Sequence, residues 1–455
     1  MNSGQQDSDT HSGNGMVDIL KMAIPLGLAN ITIVGNSVVD TIMVGNIGSF
    51  ELATVSLALQ VFLLVVIFGE GLALSFSPLF TEQLGRDDAR GKYRILEGNL
   101  IVAVLFSILA TLIQYNAADI YLLLGQDRSI AEYSVQYNKI IAFGILPVLV
   151  FVIFWELACI YDKANMLTVV SVIGFISNII LNKILIFGTS VTPAYGIAGA
   201  AASTVLVSVI MVAMLGYYMR AELKSIIRIR FIGASSLRSL FHIFKLGFPI
   251  GLSELATAGF FISSTFLVGL IGVDELAAHA IAFHVIELAI VFVLGFEEAA
   301  AVKMGLAVGM KQGPEQIRVL VRNLLVSTAV FSAVFVIILI VFSDVIPSFF
   351  LTANDKHQPI MSLATTLILI GAAFIILDAF QCVLRGALRG MQDTAVPMVN
   401  VVAGFWLVGV PLSYYLSQVL NFGAPGVWYG LSCGLIVVCV LLLFRLKVQN
   451  LAVEW

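Results

Sequence analysis

The chain has 455 residues, of which 60% are hydrophobic and only 11% charged. A soluble protein of this size needs about a quarter of its residues charged to cover its surface, so this composition excludes a water-solvated globule and points to an integral membrane protein of all-α class. The net charge of -4 is small and no basic patch lies outside the short loops between apolar runs, which argues against a nucleic-acid partner.

Residues Met1 to Gly15 are polar and rich in Ser, Gly and Asp, with neither the basic flank nor the apolar core of a signal peptide. They predict a disordered cytoplasmic tail over 1–16. Twelve apolar runs long enough to span a bilayer follow, at 17–45, 52–80, 94–117, 133–159, 166–188, 195–219, 239–271, 276–306, 317–345, 360–388, 396–420 and 424–446. The expected organisation is an N-lobe of six spans (17–219), a cytoplasmic linker (220–238), a C-lobe of six spans (239–446) and a C-terminal tail (447–455).

Basic residues set the orientation. Arg86, Arg90, Lys92 and Arg94 follow span two, Lys163 follows span four, and Lys224, Arg228, Arg230 and Arg238 follow span six. Lys303, Lys311 and Arg318 follow span eight, Arg385 and Arg389 end span ten, and Arg445 and Lys447 end span twelve. The odd-numbered loops carry chiefly Arg128 and Lys356. The positive-inside rule therefore places both termini in the cytoplasm.

The first span has an echo. A shift of 224 positions lays Lys21, Pro25, Gly27, Leu28 and Gly35 on Lys245, Pro249, Gly251, Leu252 and Gly259, and then Thr41, Gly45, Gly48, Glu51, Leu52 and Ala53 on Thr265, Gly269, Gly272, Glu275, Leu276 and Ala277. This is an internal repeat. Six spans per copy is an even number, so the two halves face the same way, related by a pseudo-two-fold axis along the membrane normal. Their acids differ: Ser264 stands where Asp40 stands, and Glu254 where Asn30 stands.

Acids inside the spans carry the chemistry, because an ionised group in hydrocarbon costs at least about 2.5 to 3.5 kcal/mol and is kept only where it faces a bundle interior or cavity. They are Asp40, Glu70, Glu156, Glu254, Glu287 and Asp378. Such groups can exchange protons or bind a cation, and either behaviour suits ion-coupled transport. Asn36 lies one turn before Asp40, while Gly35 and Gly45 allow close approach of other helices. The plainer reading of Asp40 is a carboxylate that only hydrogen-bonds a neighbouring helix. Asp378 could likewise pair with Gln381. Glu297 and Glu298, near Lys303, read as a solvated or salt-bridged helix end, or as part of a cavity.

The four cysteines lie in apolar runs without metal-ligand or disulfide spacing, and His279 and His284 are too loosely spaced for a metal site. No cofactor is expected beyond a coupling ion, H+ or Na+. No GxSxG, HExxH, P-loop or GxGxxG occurs in a suitable setting, so the chain is expected not to be an enzyme and to draw on an ion gradient.

The runs LRGALRGMQDTAVP (384–397), VDTIMVG around Asp40, LGFPIGL before Glu254 and GIAGAAAST (196–204) resemble the multidrug and toxic compound extrusion (MATE) transporters, most closely the NorM-type bacterial branch. The resemblance covers roughly Leu20 to Leu443. It implies two six-helix lobes that open alternately to each side and expel cationic or zwitterionic organic compounds in exchange for H+ or Na+, from a bacterial inner membrane and as a monomer. It assigns Asp40, Asn178 and Thr204 to an N-lobe site and Asp378 to a C-lobe site. Two positions depart from the family pattern: Asn182 stands where many members have an acid, and Thr257 where NorM-type members usually have a glutamate, with Glu254 one turn earlier.

The expectation is therefore a secondary active antiporter. Asp40, Asn36, Asn178, Asn182 and Thr204 would handle the ion, and Asp378, Glu254, Thr257 and Gln381 would serve a second ion or an organic cation. The alternative is a lipid-linked precursor flippase of related fold, which needs cavity cations to meet phosphate, whereas the interior charges read as overwhelmingly acidic. An intramembrane hydrolase would need two acids of opposed halves to meet.

Overall fold

The computed structural model describes residues 15–123, 125–227, 237–351 and 357–452. The expected N-terminal tail up to residue 14, Arg228 and Arg230 of the linker, Lys356, and the last three residues of the C-terminal tail lie outside the described residues.

Among the described residues every regular element is helical, and twelve helices are long and apolar enough to cross a membrane. They are α1 (Met16–Gly45), α2 (Ser49–Gly85), α3 (Ala89–Tyr115), α4 (Arg128–Ile160), α5 (Ala164–Phe187), α6 (Gly196–Tyr218), α7 (Leu237–Gly269), α8 (Val273–Gly309), α9 (Pro314–Phe342), α10 (Gln358–Gly390), α11 (Ala395–Val419) and α12 (Gly423–Gln449). The shortest, α6, has 23 residues. At 1.5 Å per residue it reaches about 35 Å, enough for a hydrocarbon core of about 30 Å. Several helices outrun their apolar stretch: α2 continues to Gly85, α4 starts at Arg128 and α8 continues to Gly309. Hydropathy marks the apolar part of a helix, and the backbone ladder carries on past it.

Helix ends are set by local chemistry. The Asp88 carboxylate accepts from the Arg90 backbone N–H (3.1 Å) at the start of α3, and Asp127 accepts from the Ser129 N–H (2.8 Å) at the start of α4. Pro314 opens α9, where a missing N–H costs nothing.

The internal repeat is visible in the backbone. Helices α1 and α7 end at Gly45 and Gly269, and Asp87 and Lys311 both turn the chain in the left-handed region, at φ of 50° and 54°. Each pair is 224 residues apart. Pro25 and Pro249, another such pair, sit inside α1 and α7, where proline removes a ladder hydrogen bond and kinks a helix.

The described chain divides into two compact units: Met1–Gly27 with Leu252–Trp455, and Leu28–Gly251. Both boundaries fall inside helices, two residues after Pro25 in α1 and two residues after Pro249 in α7. The opening part of α1 thus belongs with the later spans, and the opening part of α7 with the earlier ones.

Glycine permits both arrangements. In the Leu28–Gly251 unit, Gly71 of α2 lies against Gly251, and a Cβ there would come 3.0 Å from the Ile250 carbonyl carbon. In the other unit Gly295 of α8 lies against Gly27, and a Cβ would come 2.8 Å from the Gly27 nitrogen. Helix backbones in contact at this range tolerate no side chain. Gly71→Val and Gly295→Val should each lower the thermal midpoint of the detergent-purified chain, as expected for overpacking of about 1–3 kcal/mol. Gly313→Ala, where an added Cβ meets nothing within 4 Å, should lower it only by the smaller cost of alanine at the N-cap of α9.

Candidate ion site

In the Leu28–Gly251 unit the structure gathers Asp40 of α1, Asn178 and Asn182 of α5 and Thr204 of α6. The two asparagines are one turn apart, so both amides project from one face of α5. Asp40 Oδ1 accepts from Asn178 Nδ2 at 3.0 Å and from Asn182 Nδ2 at 2.5 Å. Asn182 Nδ2 also reaches Asn178 Oδ1 at 3.2 Å, which ties the amides together. Thr204 Oγ1 lies 3.3 Å from Asp40 Oδ2 and 3.1 Å from the Ala200 carbonyl, so one hydroxyl proton is shared between two acceptors. Asp40 Oδ2 is therefore the less satisfied oxygen.

All of these donors are neutral. Hydrogen bonds to a charged group contribute about 1.5–3 kcal/mol each and offset part of the cost of burying the carboxylate, but they supply no positive charge. No cationic side chain pairs with Asp40 among the described residues. Asn182 Oδ1 in this cluster, and Asn36 Oδ1 one turn before Asp40 on α1, are buried without a hydrogen-bond partner. A carboxylate with spare lone pairs and two unsatisfied amide oxygens make a set suited to a proton or a small hard cation.

The other unit has no counterpart at the repeat position. Ser264, in Asp40's place, is fully buried and donates to the Phe261 carbonyl at 2.6 Å. Its charges cluster instead where α7, α8 and α10 meet. Arg385 donates from Nε and Nη2 to the two oxygens of Glu297, at 3.0 and 2.7 Å, and Nη1 lies 3.1 Å from Glu254 Oε1 and 3.5 Å from Thr257 Oγ1. Arg389 Nη2 lies 2.8 Å from Glu298 Oε2, and its Nη1 lies 3.8 Å from Glu297 Oε1. Both arginines are buried, at 7% and 4% exposure.

Several expectations are corrected here. Arg385 and Arg389, expected to end span ten, lie within α10, which runs on to Gly390, and are paired with carboxylates of α8. Glu297 and Glu298 are ion-paired, as the salt-bridged alternative expects, but they are buried and not solvated. Glu254 faces a guanidinium and is not a free acid. Asp378 and Gln381 are not bonded to each other; the Cys382 thiol lies 3.8 Å from Asp378 Oδ2 and 3.5 Å from Gln381 Oε1, and Gln381 Nε2 is buried without a partner. Thr257 donates to the Ser253 carbonyl at 2.9 Å.

The sequence signal for this cluster is the interleaving of Arg385 and Arg389 with Gly386 and Gly390. A Cβ on Gly386 would lie 3.0 Å from the Glu297 carbonyl carbon, so the glycines let α10 approach α8 closely enough for the ion pairs to form. Of the remaining acids, Glu156 is fully buried on α4, Glu70 is half-buried on α2, and Glu287 is partly exposed, 3.6 Å from His284.

The sequence profile described as MatE matches residues 25–184 and 249–415, so its two segments begin at the repeat-related Pro25 and Pro249. The chain belongs to the MatE family. Among its relatives, a protein of Agrobacterium fabrum described as "probable multidrug resistance protein NorM" is 31% identical over 430 residues, covering 94% of this chain and 92% of that protein. One of the same description from Deinococcus radiodurans is 29% identical over 423 residues, covering 92% of each. A solved outward-facing structure of a multidrug resistance MATE family transporter superposes with a TM-score of 0.85 at 20% identity, covering 97% of both chains. The crystal structure of MATE in complex with MaL6 superposes with a TM-score of 0.86, also at 20% identity, covering both chains completely. At that identity the likeness concerns the fold, and the MatE fold is thus shared along this whole chain.

Breaking a buried pair while leaving one charge behind costs about 3–5 kcal/mol, against less than about 1 kcal/mol for an exposed pair. Arg389→Met should therefore lower the thermal midpoint clearly, and Arg318→Ala, which frees only the exposed Glu315, should lower it little. Fluorescence-monitored melting of the two purified variants measures the difference.

Proposed function

We propose that this MatE chain is a secondary active exporter of organic cations, driven by H+ or Na+ exchange at Asp40 through alternating access. The observation that carries the reading is a half-buried carboxylate held by three neutral donors and paired with no cation among the described residues. A net negative charge of this kind is met from outside the protein, by a proton or a metal cation, and its neutralisation changes what the surrounding helices gain by staying together. Asn178, Asn182 and Thr204 orient the carboxylate, and Asn36 and Asn182 offer amide oxygens to the ion. Asp378, buried beside Cys382, supplies negative charge toward a cationic substrate, which apolar and aromatic walls would otherwise hold. The multidrug descriptions of the relatives support an exporter in a bacterial inner membrane, and the basic bias of the even-numbered loops supports both termini in the cytoplasm.

The flippase reading gains one point from Arg385 and Arg389, because a phosphate substrate needs buried cations. Both guanidinium groups are already held by carboxylates, which favours the exporter.

Reconstituted proteoliposomes loaded with a fluorescent organic cation, under an imposed sodium gradient or an imposed pH gradient, test the proposal. Wild type should extrude the dye under at least one gradient, and Asp40→Asn should lose that drive. Asn178→Ala and Thr204→Val should keep it with weaker ion dependence, about tenfold for loss of a hydrogen bond to a charge. Drive that survives Asp40→Asn would move coupling elsewhere, and no extrusion under either gradient would reopen the flippase reading.

A further inference from the structure

The two acid clusters differ in one respect that bears on how many ions the chain exchanges. Around Asp40 every donor is neutral. Around Glu254 and Glu297 a guanidinium is already in place, with all three of its nitrogens engaged: Nε and Nη2 on Glu297, and Nη1 on Glu254 and Thr257. We propose that Arg385 is a built-in counter-cation, a tethered charge that occupies the α7–α8 carboxylates where a mobile ion would otherwise bind, and so removes Glu254 and Glu297 from ion exchange. The proposal rests on the reading of Asp40 given above.

Three features of the geometry support it. The pairing with Glu297 is side-on and bidentate, the arrangement in which a guanidinium is held most firmly and a point-charge ion competes least well. The tether is short, because Gly386 brings the α10 backbone against Glu297, with a Cβ there only 3.1 Å from the Glu297 Cγ. The Arg385 and Glu297 side chains are only 8% and 5% exposed, whereas Glu254 is 24% exposed. The better exposed Glu254 has its Oε1 held by Arg385 Nη1 at 3.1 Å. Arg389 neutralises Glu298 in the same way one turn further along α10. Asp378 lies on α10 two turns before Arg385, and the Cys382 thiol is its hydrogen-bond donor at 3.8 Å.

The consequence is that removing the guanidinium should create an ion site. Binding of radiolabelled sodium to the purified chain in nanodiscs is the measurement. In an Asp40→Asn background no saturable sodium binding that depends on Glu254 is expected while Arg385 is present. Adding Arg385→Gln should produce a single saturable site, adding Arg385→Lys should not, and Glu254→Gln on top of Arg385→Gln should abolish it. This outcome does not depend on transport, so a chain that fails the gradient assay can still gain the site, and the two proposals fail separately. Saturable sodium binding in Asp40→Asn with Arg385 intact, removed by Glu254→Gln, would overturn the inference. A folded Arg385→Gln variant that binds no sodium would do the same.

Should Arg385→Gln fail to fold, Glu254→Gln alone decides, because it keeps the Arg385–Glu297 pair. The half-saturating concentration of the driving ion, sodium or proton, should not move in that variant. A tenfold shift would show that Glu254 takes part in exchange.

Discussion

A charge inside hydrocarbon has to be met, and two clusters of this chain meet it in different ways. Neutral donors lower the cost of burial without removing the charge, whereas a guanidinium removes it. The cluster at Asp40 takes the first course, with two amides and a hydroxyl drawn from α5 and α6. The cluster at Glu254, Glu297 and Glu298 takes the second, with two arginines one turn apart on α10. A site of the first kind keeps a standing demand for a proton or cation. A site of the second kind has its charges paired within the fold and ties helices together.

This difference arises on a duplicated scaffold. The repeat reproduces helix ends, the left-handed turns at Asp87 and Lys311, the prolines of α1 and α7 and the glycine crossings at Gly71 and Gly295. It does not reproduce the acid: Ser264 turns its hydroxyl to its own helix where Asp40 turns a carboxylate to its neighbours. Backbone packing is shared because both copies must satisfy the same steric constraint, and charge placement is free to diverge because it depends on a handful of side chains.

Much of this was legible in the sequence, and for a physical reason. An apolar run long enough to span needs no tertiary information to be recognised, so all twelve helices could be counted, and an acid within one, such as Asp40, announces a cost that something must offset. The partners of Asp40 were another matter. Asn178 and Thr204 lie 138 and 164 residues away along the chain, and only the family resemblance pointed to them. Hydropathy failed at Arg385 and Arg389 because it registers that a helix has turned polar and not which helix lies against it. The same blindness made Glu254 look free and suggested a Gln381 partner for Asp378. The alternation of arginine and glycine on α10 was the signal that a neighbour came close.

The placement of the unit boundaries within α1 and α7 has a consequence for how such a molecule could have come about. Each half of the sequence lends the opening of its first helix to the unit built mainly from the other half, past a proline and onto a glycine of the recipient. A chain consisting of one repeat, folded by the same rules, would leave a glycine groove on its second helix unfilled and a helix end without a seat. Two copies would cure both defects by exchanging those ends, as in a domain-swapped dimer. Fusion of such copies would then join partners that already shared their helix ends, and each compact unit of the present chain draws residues from both halves of the sequence.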